Sequence, residues 1–346
     1  MTRSLISHVV LCDLGSASLD LIVVLCAAGF KVTLMEPDPN DAERVGQIVG
    51  RRLPDLDIPV LAKIDDSCDI FLCRSEMAGA APDGALIVLL DGPNALIRVA
   101  DPGRSVVMDL LDPRFVEIAF GSALDQVRAR ALRFVTSLNV PFSVSARGDV
   151  FAGTVLQDTA LALVDRLLLV GVTPWELDEA LVDAGFAQGL LKAQDTIGLE
   201  VAFARRRAAG TDLLVADRMV REGRLGRSVG VGWYRYPGGG GAVIDPLMED
   251  MVVEEARFAR IDPIRLTLAE AADALILGVV NAAAELLSDG LTLEALDQLA
   301  LHKLGLPDLT QRAQAIGFDE MTQRLHNLQA IHSALWAPSP ALHRFF

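Results

Sequence analysis

Aromatic side chains are scarce in this chain, at 5% of 346 residues, with three tryptophans and two tyrosines. Positive charge is short as well: 31 Lys and Arg against 46 Asp and Glu leave a net charge of −15. That balance excludes nucleic acid as a bulk partner, because phosphate backbones are held by net positive surfaces. An anionic cofactor would need a local cluster such as Arg221, Arg224 and Arg227, whose plainer reading is a solvated helix face. The four cysteines, Cys12, Cys26, Cys68 and Cys73, lie in the first quarter without metal-ligand spacing. They read as small core residues in a reducing compartment. Of the five histidines, His8 precedes the first strand, and His302, His326, His332 and His343 fall near the C-terminus, where surface roles are expected. Long apolar runs are missing too. Leu21 to Ala28 and Leu167 to Val172 are too short to span a bilayer, and no secretory signal is visible, so a soluble cytoplasmic protein without a membrane partner is expected.

What is present is 51% apolar and 22% charged, enough for two or three domains with cores of their own. The opening alternates strand, turn, helix and strand: Val9 to Cys12, a turn over Asp13 to Ser18, Leu19 to Ala28, then Lys31 to Met35 ending at Glu36. Glu36 stands 21 residues after Gly15. This is the spacing of a dinucleotide-binding unit, in which an acid takes the ribose hydroxyls and a glycine turn admits the pyrophosphate. Further strands are expected at Cys68 to Cys73, Ala85 to Leu90, Ser105 to Met108, Phe115 to Phe120 and Pro141 to Val144, with a helix over Leu124 to Leu138. The pattern predicts a mostly parallel sheet covered on both faces.

Beyond Asp149 the periodicity is helical throughout. Phe151 to Val170 reads as an amphipathic helix with Asp158, Asp165 and Arg166 on its wet face, and Thr173-Pro174-Trp175-Glu176 as the cap of a second. Gly171-Val172-Thr173, Leu177-Asp178 and Ile197-Gly198 recur as Gly290-Leu291-Thr292, Leu296-Asp297 and Ile316-Gly317, at a constant offset of 119 residues. The expected organisation is therefore an α/β Rossmann-type domain, 1–148, and two copies of one helical unit, 149–240 and 241–346.

Between the copies, Arg218 to Tyr236 holds four glycines in ten residues (223, 226, 230 and 232), followed by Trp233, Tyr234 and Tyr236. Glycine at that density implies backbone that a Cβ would forbid, and the aromatics imply a segment pinned against something. The run Gly223-Arg224-Leu225-Gly226-Arg227-Ser228-Val229-Gly230-Val231-Gly232-Trp233-Tyr234 resembles the segment that closes the first C-terminal domain of 3-hydroxyacyl-CoA dehydrogenases. Gly185-Phe186, Asp195-Thr196-Ile197-Gly198-Leu199-Glu200 and Pro338-Ser339-Pro340 are similar to further motifs of that family, including members with a duplicated C-terminal domain.

The resemblance implies an NAD-dependent oxidoreductase acting on a coenzyme A thioester in acyl-CoA breakdown, with a homodimer, a paralogue or the internal second copy as helical partner. It places the cofactor fingerprint at Asp13, Gly15 and Ser18, with Glu36 as ribose acid; only the middle glycine is retained. It places the catalytic histidine at Asp109, in Asp109-Leu110-Leu111-Asp112-Pro113, its orienting glutamate at Glu117, and the substrate asparagine at Thr154. The family's Asn-Thr-Ser-Ser segment has no counterpart near Asp91-Gly92-Pro93-Asn94. Two readings follow: an active dehydrogenase in which Asp109 and Glu117 carry proton transfer, or a catalytically silent member binding acyl-CoA or a paralogue as a structural subunit.

Overall fold

The structure, a computed structural model, describes residues 7–13, 19–64, 68–92, 101–110, 115–145, 150–331 and 334–346. The chain forms two compact units, Met1–Ala152 and Gly153–Phe346.

In the first unit, eight strands among the described residues make one sheet: β1 (His8–Cys12), β2 (Lys31–Met35), β3 (Val60–Leu61), β4 (Ile70–Cys73), β5 (Leu86–Leu89), β6 (Ser105–Asp109), β7 (Val116–Ala119) and β8 (Phe142–Val144). Their order is β3-β2-β1-β4-β5-β6-β7-β8, parallel as far as β6, with β7 antiparallel to β6 and parallel to β8. The central strands are short unbroken aliphatic runs because both faces are covered. On one face, Leu11, Ile70, Val88 and Val106 pack with Leu21, Ile22 and Leu25 of α1 (Leu19–Ala27), Val45 and Val49 of α2 (Pro39–Arg52), and Phe134 of α3 (Asp125–Ser137). Cys12, Cys68 and Cys73 lie in the other cluster, with Val10, Phe71 and Leu89. All four cysteines are free. Burial pushes the Cys12 thiol up to about 12, which makes it a core group and not a nucleophile.

The second unit is helical: α4 (Ala152–Leu169), α5 (Pro174–Asp183), α6 (Leu190–Ile197), α7 (Leu199–Ala209), α8 (Leu214–Arg221), α9 (Pro246–Phe258), α10 (Leu268–Ser288), α11 (Leu293–Leu299), α12 (Leu309–Ile316) and α13 (Phe318–Ile331). Thr173 and Glu176 form the expected capping box at the start of α5. Pairs of interactions recur at the sequence offset. Gly171 and Gly290 both have positive φ, at 113° and 102°. Leu191 N–H donates to Asp178 at 2.9 Å, as Thr310 N–H does to Asp297 at 2.8 Å. α10 lies close to α4 because residue 278 is glycine: a Cβ there would fall 2.5 Å from Leu163 Cδ1.

Two expectations are corrected. Asp165 is not on a wet face; it is 4% exposed and accepts the N–H groups of Leu214, Val215 and Ala216 at 3.0–3.1 Å. The first turn of α8 has no side-chain cap of its own, so its orphan donors draw a carboxylate from α4. Burial raises Asp165 to about 6 against the pull of those three donors. Long apolar runs are also not confined to the two named above. α10 is long and apolar enough to cross a membrane by composition, although most of it is buried inside the helical unit.

Candidate functional site

Because β1, β2, β4, β5 and β6 run parallel, their C-terminal ends share one edge, and the strand order reverses between β1 and β4. Ligands of open α/β sheets bind at such a switch point. Asp13 follows β1 with φ 54°, the left-handed region that glycine enters at least cost, and donates its N–H to Met35 O at 2.8 Å. Asp13 thus holds a glycine-type backbone conformation where the resemblance puts the first fingerprint glycine, with an exposed carboxylate on it. Glu36, just past β2, is 4% exposed. Its charge and that of Asp13 add to burial in raising Cys12, which places both carboxylates near the end of β1. Gly15 and Ser18 lie outside the described residues. The strand ends therefore share the frame of a doubly wound sheet, with the Asp13 and Glu36 carboxylates beside its switch point.

Farther along the edge, Asp91 accepts the Ser75 N–H at 3.1 Å and the Ser75 hydroxyl at 2.5 Å, tying the end of β5 to that of β4. Asn94 lies outside the described residues. Asp109 ends β6, and its register partner on β7 is Glu117. Directly opposed residues project to the same face with Cβ atoms about 4.5–5.5 Å apart. The sequence expectation of two neighbouring acids is met in the backbone register. Asp109 is half-buried and Glu117 fully buried, and each makes a further interaction. The next residue in the same row, on β8, is the buried Ser143. Leu111, Asp112 and Pro113 lie outside the described residues. Thr154 belongs to the helical unit, in the first turn of α4, and is partly buried.

The glycine-rich stretch resolves into a clamp around Asp195 at the end of α6. Asp195, 1% exposed, accepts Trp233 N–H at 2.8 Å, Tyr234 N–H at 2.9 Å and the Tyr236 hydroxyl at 2.9 Å. Asp178 on α5 accepts the Tyr234 hydroxyl at 2.8 Å. The Trp233 indole donates to Gln194 Oε1 at 2.6 Å. Gly226 and Gly232 press so closely on Asp195 that a Cβ at either would collide with it. Burial raises Asp195 to about 6, with the three donors pulling it back, and the carboxylates hold both tyrosines above their ordinary range after burial has raised them. Two of the four glycines and the aromatic plug are one device, built around the fixed Asp195.

The arginines of the same stretch do not act together. Arg224 is spent on Asp245 at 2.6 Å and on Gly232 O at 2.8 Å. Arg227 is exposed and stacks on the Tyr236 ring at 5.8 Å, and Arg221 is exposed on the last turn of α8. Arg224 is therefore removed from the expected anion cluster, because Asp245 is buried and needs a cation. Sequence reading missed the structural weight of Asp178 and Asp195, which it took as motif letters. The signal available was the pair of tyrosines, whose buried hydroxyls require acceptors.

Comparison with known proteins meets this clamp directly. Residues 151–236 match the family model of the 3-hydroxyacyl-CoA dehydrogenase C-terminal domain. The chain is 28% identical over 207 residues to the peroxisomal bifunctional enzyme of Danio rerio, covering 51% of this chain and 28% of that protein. It is 28% identical over 193 residues to the peroxisomal fatty acid beta-oxidation multifunctional protein of Oryza sativa subsp. japonica, covering 51% and 27%. The matches thus span less than a third of these relatives' length. In fold the chain is similar to 3-hydroxybutyryl-CoA dehydrogenase from Escherichia coli, with TM-score 0.75, 15% identity and 98% of each chain covered. It is also similar to the dehydrogenase part of multifunctional enzyme 1 from C. elegans, with TM-score 0.67, 15% identity, and 99% and 89% covered. The similarity expected from the motifs is thus met in sequence over residues 151–236 and in fold over nearly the whole chain.

Proposed function

We propose that the protein oxidises the 3-hydroxyl of a 3-hydroxyacyl-CoA, with Asp109 and Glu117 managing the hydroxyl proton. The observation that carries this reading is their register pairing across β6 and β7, at the ligand edge of a sheet with the dehydrogenase fold. Asp109, half-buried at the strand end, accepts the proton as a carboxylate. Glu117 is its register neighbour on β7. Thr154 offers a hydroxyl at the family's substrate position. Glu36 would take the ribose of NAD, which when bound supplies the hydride acceptor; Asp13 would face the pyrophosphate and keep affinity low. The clamp at Asp195 serves the fold of the helical unit, not proton transfer. The repeated hydrogen bonds at Asp178 and Asp297, and the close approach of Leu163 to Gly278, support a duplicated helical domain whose copies pack within one chain.

The test is NADH formation from 3-hydroxyacyl-CoA substrates of graded chain length by the purified protein, at NAD concentrations high enough to offset Asp13. Turnover is expected. Absence of turnover at saturating NAD, with acyl-CoA binding intact, would favour a second reading, that of a silent acyl-CoA-binding member. One observation supports that alternative: the carboxylate of Asp13 on the turn a pyrophosphate would approach.

A further inference from the structure

The most exposed of the large apolar side chains among the described residues is Phe258, 73% exposed at the end of α9. That helix packs on α8 and buries Met248 and Val252. Leu247, Met251, Glu254 and Phe258 follow one another at i, i+4, i+7 and i+11, the spacing that puts residues on one stripe of a helix. Leu247 is 61% exposed, and Met251 is sunk in the stripe between Leu247 and Phe258. Val243 and Ile244, just before the Asp245 cap, are also exposed. Apolar side chains gathered in this way on a surface mark a place of interaction.

Beside the stripe lies a groove of about 490 Å³, lined by Leu247, Met251 and Val253 of α9 and by Glu222 and Arg224 from the end of α8 and the turn after it. The same helix thus carries an aromatic knob at its C-terminal end and an apolar groove along its N-terminal half.

The charges are divided in the same manner. Asp250 and Arg257 stand seven residues apart on one side of the helix and both line the groove. Each is exposed, and neither has an ion-pair partner among the described residues. Glu254 between them is already neutralised by Arg218 at 2.6 Å. A surface that holds both halves of each contact is self-complementary, and a two-fold axis satisfies both halves at once. Antiparallel placement about an axis near residue 253 brings position 258 opposite 247 and position 257 opposite 250.

We propose that α9 pairs antiparallel with α9 of a second copy of this chain, each Phe258 entering the groove beside Leu247 and Met251 of the other copy, and each Asp250 meeting the other's Arg257. This face is separate from the contact that α10 makes with α4 and α5 inside the helical unit. Nothing in the pairing involves the sheet, so its test is independent of the dehydrogenase reading. A single helix pair sits at the small end of specific interfaces, so a reversible dimer with a micromolar dissociation constant is expected.

Sedimentation velocity of the full-length protein across the micromolar range, at physiological salt, reads this equilibrium. Phe258→Ser changes a side chain too exposed to hold the monomer together, and should weaken dimerisation by about tenfold or more. Asp250→Arg and Arg257→Asp should each weaken it by a similar factor, because each sets like charges against one another twice across the axis. An equimolar mixture of these two variants should dimerise again, since both contacts then join a base to an acid. A chain that stays monomeric throughout, including one that instead binds phosphatidylcholine vesicles, would overturn the proposal. A dimer that Phe258→Ser leaves unchanged, or a mixture of the charge variants that stays monomeric, would do the same.

Discussion

The carboxylates of the two units are used in opposite ways. In the helical unit, Asp165, Asp178 and Asp195 are each buried under three hydrogen-bond donors from the protein's own backbone and side chains. At the edge of the sheet, Asp13 is exposed and Asp109 half-buried, on strand ends that point where ligands of this fold sit. An acid saturated by internal donors is committed to holding the chain. An acid on a strand end lies where ligands of such sheets bind. In the clamp, Gly226, Gly232, Trp233, Tyr234 and Tyr236 all press on or bond Asp195, which ties those positions to one buried group.

The contrast should break first at Asp195. Asp195→Ala strands two backbone N–H groups and a tyrosine hydroxyl in the interior and should cost roughly 3–5 kcal/mol in chemical denaturation. A loss below about 1 kcal/mol would mean that the clamp is not central to the helical unit. The pH dependence sharpens the point. Burial raises Asp195 to about 6, above an unfolded value near 4, so the folded chain holds that proton more tightly. The resulting stability is full below about pH 4 and is lost as pH rises through about 6, an effect of about 3 kcal/mol. Asp178 is raised in the same direction and adds with the same sign. Denaturation midpoints of wild type and Asp195→Asn should therefore converge or cross between pH 4 and 7, and parallel curves would refute this linkage.

In the second half of the helical unit, the donors to Asp297 among the described residues come from Thr310, through its N–H and hydroxyl. Asp297→Ala should cost about 1–3 kcal/mol, less than Asp195→Ala, and an equal or larger loss would upset the ranking. The smallest effect is expected at Asp13. Its φ of 54° suits glycine, so Asp13→Gly should change stability by no more than about 1 kcal/mol while tightening NADH binding. Fluorescence titration reads this directly, and unchanged affinity would show that the turn charge is not what limits the cofactor.

Much of this architecture was legible. Apolar runs of four to six residues separated by helical stretches located the strands, since a sheet covered on both faces needs such runs. The Asp109 and Glu117 neighbourhood was expected as two acids near one strand edge, although the antiparallel pairing of β6 and β7 that puts them in register leaves no mark in a period-two pattern. Asp165 was misread because helical periodicity sorts residues by polarity and cannot tell a wet carboxylate from one capping another helix. Gln194 escaped notice for a related reason. Its role depends on which way a tryptophan 39 positions later donates, and spacing along the chain does not encode that.

The central claim is that the paired acids of the sheet, Asp109 and the buried Glu117 beside it, do the chemistry while Asp165, Asp178 and Asp195 hold the fold of the helical unit. It is tested most directly by the turnover number of Asp109→Asn with 3-hydroxyacyl-CoA and saturating NAD, measured beside its thermal midpoint. Loss of the proton acceptor should lower kcat by about 10²–10⁴ with the midpoint essentially unchanged. A variant that turns over like the wild type would contradict the account, and so would one that loses activity only because it unfolds.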